Sequence, residues 1–155
     1  MPQILFVCLG NICRSPAAEA CFRHHVQERG LDSFFRIDSA GTGGWHAGES
    51  ADARMRSAAQ ARGIQIDSQA RQIEPSDANA DLIVVMDEAN RRDVMDMSWV
   101  DTSRVRCLLE FHPETARTEV PDPYYNGSEA FDLVLDLVDA ATSALLDYLE
   151  SSGLD

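Results

Sequence analysis

Short apolar runs alternate along this chain with longer stretches whose apolar residues recur every three or four positions, the signature of strands alternating with helices. Ile4-Leu5-Phe6-Val7 predicts a first buried strand. A helix follows to about Arg29, with Ala17, Ala20, Cys21, Phe22 and Val26 on its inward face, Ser15 as N-cap, Pro16 at its first position and Gly30 as C-cap. Phe34 to Ser39 reads as the second strand, and the Gly-rich Ala40-Gly41-Thr42-Gly43-Gly44 after it as a loop. Ser50 is placed as the N-cap of the next helix, which carries Asp52 in its first turn, runs to about Arg62 and stops at Gly63.

Leu82-Ile83-Val84-Val85-Met86 is apolar throughout, as suits a strand buried on both faces of a parallel sheet, and Asp87 caps a helix running to about Met97. Arg104 to Leu109 is a shorter, more mixed strand, expected at the sheet edge. From Glu110 to Gly127 no period persists, and His112-Pro113 and Pro121-Asp122-Pro123 mark an extended loop. In the last helix, Ser128 to about Glu150, Phe131, Val134, Val138, Ala141, Leu145 and Leu149 lie on one face, and Asp132, Asp136, Asp139 and Asp147 on another. The order βαβ(α)βαβα without hairpin signals predicts an α/β fold: one three-layer domain over residues 1–155, a four-stranded parallel sheet flanked by helices, flavodoxin-like and doubly wound with strand order 2-1-3-4. By the switch-point rule the C-terminal end of the first strand carries the site.

That end is the decapeptide Val7-Cys8-Leu9-Gly10-Asn11-Ile12-Cys13-Arg14-Ser15-Pro16. Five residues separate Cys8 from Arg14, enough for backbone N–H groups to wrap a tetrahedral anion with a helix N-terminus behind them. A cysteine beside a helix N-terminus and a guanidinium is favoured as the nucleophilic thiolate, and Arg14 offers a planar fork for two equatorial oxygens. Gly10 permits the turn, and Asn11 tolerates the left-handed region. The plain alternative, a Cys serving as a small packing residue, suits an isolated Cys better than this combination. A nucleotide-binding Walker loop is excluded, because it ends in Gly-Lys-Ser/Thr and the chain has no lysine.

This stretch resembles the active-site loop of the low-molecular-weight protein tyrosine phosphatases. Further matches follow in the family's order: Asp38-Ser39-Ala40-Gly41-Thr42, Gly44-Trp45-His46, Ala70-Arg71-Gln72, Met86-Asp87-Glu88 with Asn90, Leu108-Leu109-Glu110-Phe111 and Pro121-Asp122-Pro123-Tyr124-Tyr125. One departure is Ser68, where animal members carry a histidine. The resemblance implies Cys8 as nucleophile, Arg14 and the loop Leu9, Gly10, Asn11, Ile12, Cys13 and Ser15 as phosphate binders, and Asp122 as general acid. It implies that Ser39 braces Asn11, that Trp45 walls the cleft, and that Cys13 forms a redox pair with Cys8. Leu9, Ile12, Tyr124 and Tyr125 are the other expected walls, apolar surfaces that favour an aryl ring, and Ser15 is expected to donate its hydroxyl to the Cys8 sulfur. No metal or other cofactor is called for.

Composition narrows the partners. A chain of 155 residues with net charge −13 and thirteen scattered arginines is a poor nucleic-acid binder. The same charge opposes anionic substrates at long range, so short-range donors in the loop must prevail. No apolar stretch approaches the ~20 residues of a membrane span. Four cysteines including a nucleophile suit a reducing compartment, so a cytoplasmic location is expected, and the resemblance implies a monomer acting on tyrosine-phosphorylated proteins, opposite a tyrosine kinase. A metal pair at Cys21 and His25 lacks further ligands of suitable spacing, which leaves a packed Cys and an exposed His. Arg71 reads as an exposed or structural arginine in preference to an anion contact. Two rival functions stay open: an arsenate reductase on the same fold, although 86–96 contains no Cys pair, and a phosphotyrosine-binding module, which would need neither Cys8 nor Asp122.

Overall fold

The computed structural model describes residues 1–152. Its four strands are β1 (Gln3–Cys8), β2 (Arg36–Gly41), β3 (Leu82–Val85) and β4 (Val105–Cys107), all parallel, in the order β2-β1-β3-β4. The helices are α1 (Arg14–Glu28), α2 (Ala53–Gln60), α3 (Glu88–Met95) and α4 (Ser128–Ser152). α1 packs on α4, with α2 against α4, on one face of the sheet; α3 covers β3 and β4 on the other. Two apolar clusters result. Ile4, Phe6 and Val84 face α1 and α4, whereas Leu5, Val7, Ile83 and Val85 face Val94 and Val100. The alternating side chains of β1 and β3 therefore feed both cores, which is why both strands read as continuous apolar runs. No helix among the described residues is long and apolar enough to cross a membrane.

Several boundaries differ from expectation. α1 begins at Arg14 with Cys13 at the N-cap position and no capping side chain, so Ser15 is not the cap. Its hydroxyl is already engaged with Cys8 and Asn11. Helix α2 is capped not by Ser50 but by Asp52, whose carboxylate accepts from Arg54 N–H at 2.8 Å; Ser50 instead pairs with Gln69 in an isolated bridge. β2 starts at Arg36, and Phe35 just before it packs into the core: Phe6, Phe22 and Phe35 form an edge-to-face chain with ring centroids 5.6 Å apart. Leu108 and Leu109, expected to end β4, turn into a short 3-10 helix against α4.

Other features match. Gly30 follows α1 with φ +69°, and Leu31 N–H reaches back to the Val26 carbonyl at 2.9 Å, a left-handed C-terminal closure that glycine makes without strain. Cys21 is fully buried. His25 is not exposed: it is largely buried between α1 and α4, with Nε2 3.0 Å from Asp139 Oδ1.

Candidate active site

The loop between Cys8 and Arg14 lies at the C-terminal edge of the sheet, where central β1 hands the chain to α1. The continuation of β2 supports it from one side, with Thr42 N–H donating to the Cys8 carbonyl and Gly43 N–H to the Leu9 carbonyl, each at 2.9 Å. A Cβ on Gly41 would stand 2.7 Å from the Leu9 carbonyl oxygen, so only glycine lets the two backbones run this close.

Asn11 holds the loop's shape. Its φ of +57° is positive, which Asn tolerates better than most residues. Its amide is fully engaged: Nδ2 donates to Ser15 Oγ at 2.8 Å and to Ser39 Oγ at 3.0 Å, while Oδ1 accepts Arg71 N–H at 3.0 Å. Ser39 Oγ in turn donates to Glu19 Oε1 at 2.6 Å. With its backbone turned this way, Asn11 directs its own N–H at Cys8 Sγ from 3.3 Å. Ser15 Oγ, already accepting from Asn11, stands 3.0 Å from the same sulfur with its hydrogen available. Cys8 is thus buried at the floor of the cup with two donors on its sulfur.

Arg14 is held from behind. Nη1 donates to Asp87 Oδ2 at 2.6 Å and to the Val120 carbonyl at 3.1 Å. Burial works against its charge, but Cys8 and Asp87 more than offset this and raise its pKa further. Nη2 lies 3.8 Å from Asp122 Oδ2. Asp122 is half exposed, and its Oδ1 accepts Tyr124 N–H at 3.1 Å, a turn that aims the carboxylate along the cleft. Burial first, then the Asp52 carboxylate, pushes the Cys13 thiol up to about 12. Cys13 is therefore a neutral neighbour of the nucleophile, and all four cysteines are free thiols.

A cleft of about 440 Å³ brings together Cys8, Arg14 and Asp122 with Leu9, Ile12, Trp45, Tyr124 and Tyr125 on its walls. The residues sought from sequence for the floor, the acid and the walls thus share one cleft, and Ser39 touches Asn11. Among the described residues, no group of three or more His, Cys, Asp or Glu side chains could hold a metal ion.

Sequence reasoning misses the roles of Asp87, Glu19 and His46. Asp87 reads from sequence as a helix cap, which it is, accepting from Asn90 N–H at 2.8 Å, but it also fastens Arg14. Its place just past β3, beside the end of β1, is the signal that could have found it. Arg71 is structural, as expected: its backbone holds Asn11, and its side chain bridges Asp38 and Asp77. Glu19 carried no motif. Its carboxyl is buried, and burial pushes its pKa up against the opposing pull of Ser39 and Arg23. Ser68 lines the groove beside this Glu19–Arg23 pair. His46 lines the cleft with Nδ1 3.0 Å from Glu49 Oε2.

The sequence model of the low molecular weight phosphotyrosine protein phosphatases matches residues 3–153. The chain belongs to this family. As a low molecular weight phosphatase, it is 42% identical over 149 residues to a low molecular weight protein-tyrosine-phosphatase of Streptomyces coelicolor, covering 93% of this chain and 91% of that protein. It is also 43% identical over 148 residues to the low molecular weight phosphotyrosine protein phosphatase of Schizosaccharomyces pombe, covering 92% and 94%. A crystal structure of protein tyrosine phosphatase from Entamoeba histolytica with Hepes in the active site superposes with TM-score 0.95 at 40% identity, covering 99% of this chain and all of that one. The family's fold, a parallel sheet in the order 2-1-3-4 between helices, is the fold observed here.

Proposed function

We propose that this phosphatase hydrolyses phosphotyrosine in proteins, and small aryl phosphates, through a phosphocysteine intermediate. The observation that carries this reading is the convergence of Cys8, Arg14 and Asp122 on one apolar-walled cleft. In the first step the Cys8 thiolate attacks phosphorus in line; the S–P bond forms, the bond to the phenolic oxygen breaks, and Asp122 gives that oxygen its proton. Arg14 and the loop amides Leu9 to Ser15 stabilise the equatorial oxygens. Water then attacks the phosphocysteine with Asp122 as base, and the sulfur leaves as a thiolate that accepts from Ser15 O–H and Asn11 N–H.

Leu9, Ile12, Trp45, Tyr124 and Tyr125 suit an aryl ring, and the depth of Cys8 disfavours the shorter arms of phosphoserine and phosphothreonine. Tyrosine-phosphorylated proteins are the substrates, so a tyrosine kinase is the class of enzyme that supplies them. The free thiols support a reducing compartment such as the cytoplasm, with the chain acting there as a single-domain monomer.

The test is turnover of p-nitrophenyl phosphate and a phosphotyrosine peptide by the parent, Cys8→Ser and Asp122→Ala, with chelator present, beside an arsenate-reduction assay. Parent turnover abolished in Cys8→Ser and slowed about a hundredfold or more in Asp122→Ala supports the reading. Arsenate reduction without phosphatase turnover assigns the site to redox chemistry, and binding without either activity assigns it to phosphotyrosine recognition; both overturn the reading.

A further inference from the structure

The indole of Trp45 lies on bare backbone. A Cβ built on Gly43 would meet Trp45 Cζ3 at 1.9 Å, Cε3 at 2.4 Å and Cη2 at 2.5 Å, so the benzenoid edge occupies the space a side chain at position 43 would take. Trp45 is otherwise 72% exposed, so few other contacts hold the ring. The backbone of Gly43 is the firmer partner, because its N–H donates to the Leu9 carbonyl inside the nucleophile loop. Overlap this deep exceeds any adjustment of a few tenths of an ångström. If position 43 gains a methyl group, the exposed ring must move and the bonded backbone stays. Gly43 does not have the positive φ that strains L-residues, in contrast to Gly48 and Gly63, so alanine there introduces the clash without added backbone strain.

We propose that Gly43 is a specificity-determining position: by leaving its space to the Trp45 indole, it sets that ring as a wall of the cleft and so the preference for aryl over alkyl phosphates. This rests on the cleft assignment above. Gly43 touches no reacting atom and acts only through Trp45, whose ring reaches the cleft occupied by Cys8 and Asp122 at its floor and side. Gly41 provides a contrast, since a Cβ there strikes the Leu9 carbonyl itself and would disturb the anion loop for every substrate.

The test measures the dissociation constants of phenylphosphonate and methylphosphonate, which are not turned over, for the parent, Gly43→Ala, Trp45→Ala and the double variant. Gly43→Ala is expected to weaken phenylphosphonate about fivefold with methylphosphonate shifted less than about twofold, and to add nothing further in the Trp45→Ala background. Equal weakening of both ligands, no weakening, or an additional loss in the Trp45→Ala background overturns the inference. So does a parent that shows no preference for the phenyl ligand. Turnover of p-nitrophenyl phosphate is read separately: a parent that prefers phenylphosphonate yet hydrolyses nothing removes the phosphatase reading and leaves this one standing.

Discussion

Arg14 Nη1 donates to Asp87 Oδ2 across 2.6 Å, joining residues 73 positions apart at the back of the anion loop. The bond fixes the guanidinium from the side away from the cleft, leaving Nη2 toward Asp122. Arginine grips a tetrahedral anion well only when its fork is already aimed, because the rotamer entropy is then lost on folding and not on binding.

Asp87→Asn should therefore lower kcat/KM by about ten- to a hundredfold, since the amide keeps an oxygen for the α3 cap but loses the charge that holds Arg14. Asp87→Ala should be as poor a catalyst and lose in addition about 1 kcal/mol of stability, because Asn90 N–H then has no capping oxygen. Steady-state kinetics and urea unfolding separate the two effects; parent-like kcat/KM in Asp87→Asn contradicts the orienting role.

Asn11 combines a left-handed backbone with three side-chain hydrogen bonds. Glycine keeps the first and loses the second; alanine loses both. Both variants should be slower enzymes, and Asn11→Ala should be less stable than Asn11→Gly by about 1 kcal/mol. Equal unfolding midpoints would place the value of Asn11 wholly in its side chain.

Glu19 gives a pH signature. Burial raises its carboxyl pKa in the folded protein above the unfolded value of about 4.3. The stability tied to that difference is fully present below the unfolded pKa and is lost as pH rises through the folded one. Against a Glu19→Gln reference, which does not titrate, the parent should lose relative stability as pH is raised from about 4 toward neutrality. Denaturant titrations across that range check it, and a difference that is flat or grows with pH contradicts the burial effect.

Oxidation of Cys8 by peroxide is expected to be captured by Cys13 as a disulfide and reversed by thiol. The Cys13 thiol, pushed up to about 12 by burial and by Asp52, is almost wholly protonated at neutral pH. Capture should therefore speed up as pH rises above neutrality. Cys13→Ser should recover activity far less completely after peroxide and reductant. Recovery as full as the parent's would remove Cys13 from the redox cycle.

The parts of the fold that read directly from the chain are those whose environment is uniform. β1 and β3 are buried on both faces, so their apolar runs left little choice, and Gly30 closes α1 through its own backbone freedom. Caps were less legible. Ser15 and Ser50 are good N-cap residues by type, yet the Ser15 hydroxyl is taken by Cys8 and Asn11, and α2 starts where Asp52 N–H meets the Ile12 carbonyl at 2.8 Å. A side chain with a stronger distant partner is not available for a local role, and that partner is invisible in the local sequence.

What the sequence determined by itself is the local chemistry: a cysteine and an arginine with five residues between them on a strand-loop-helix, an aspartate held between prolines, and elements whose order demands a parallel sheet. Tertiary structure alone decided which distant groups support them. Because β3 lies beside β1 in parallel, with Val7 opposite Val85, the residues just past both strands emerge side by side, and Asp87 meets Arg14. β2 on the other side delivers Ser39 to Asn11, and its continuation brings Gly43 N–H to the Leu9 carbonyl. Such contacts depend on strand order and register, which are settled by burying two apolar faces at once and leave no periodic trace in the residues they join.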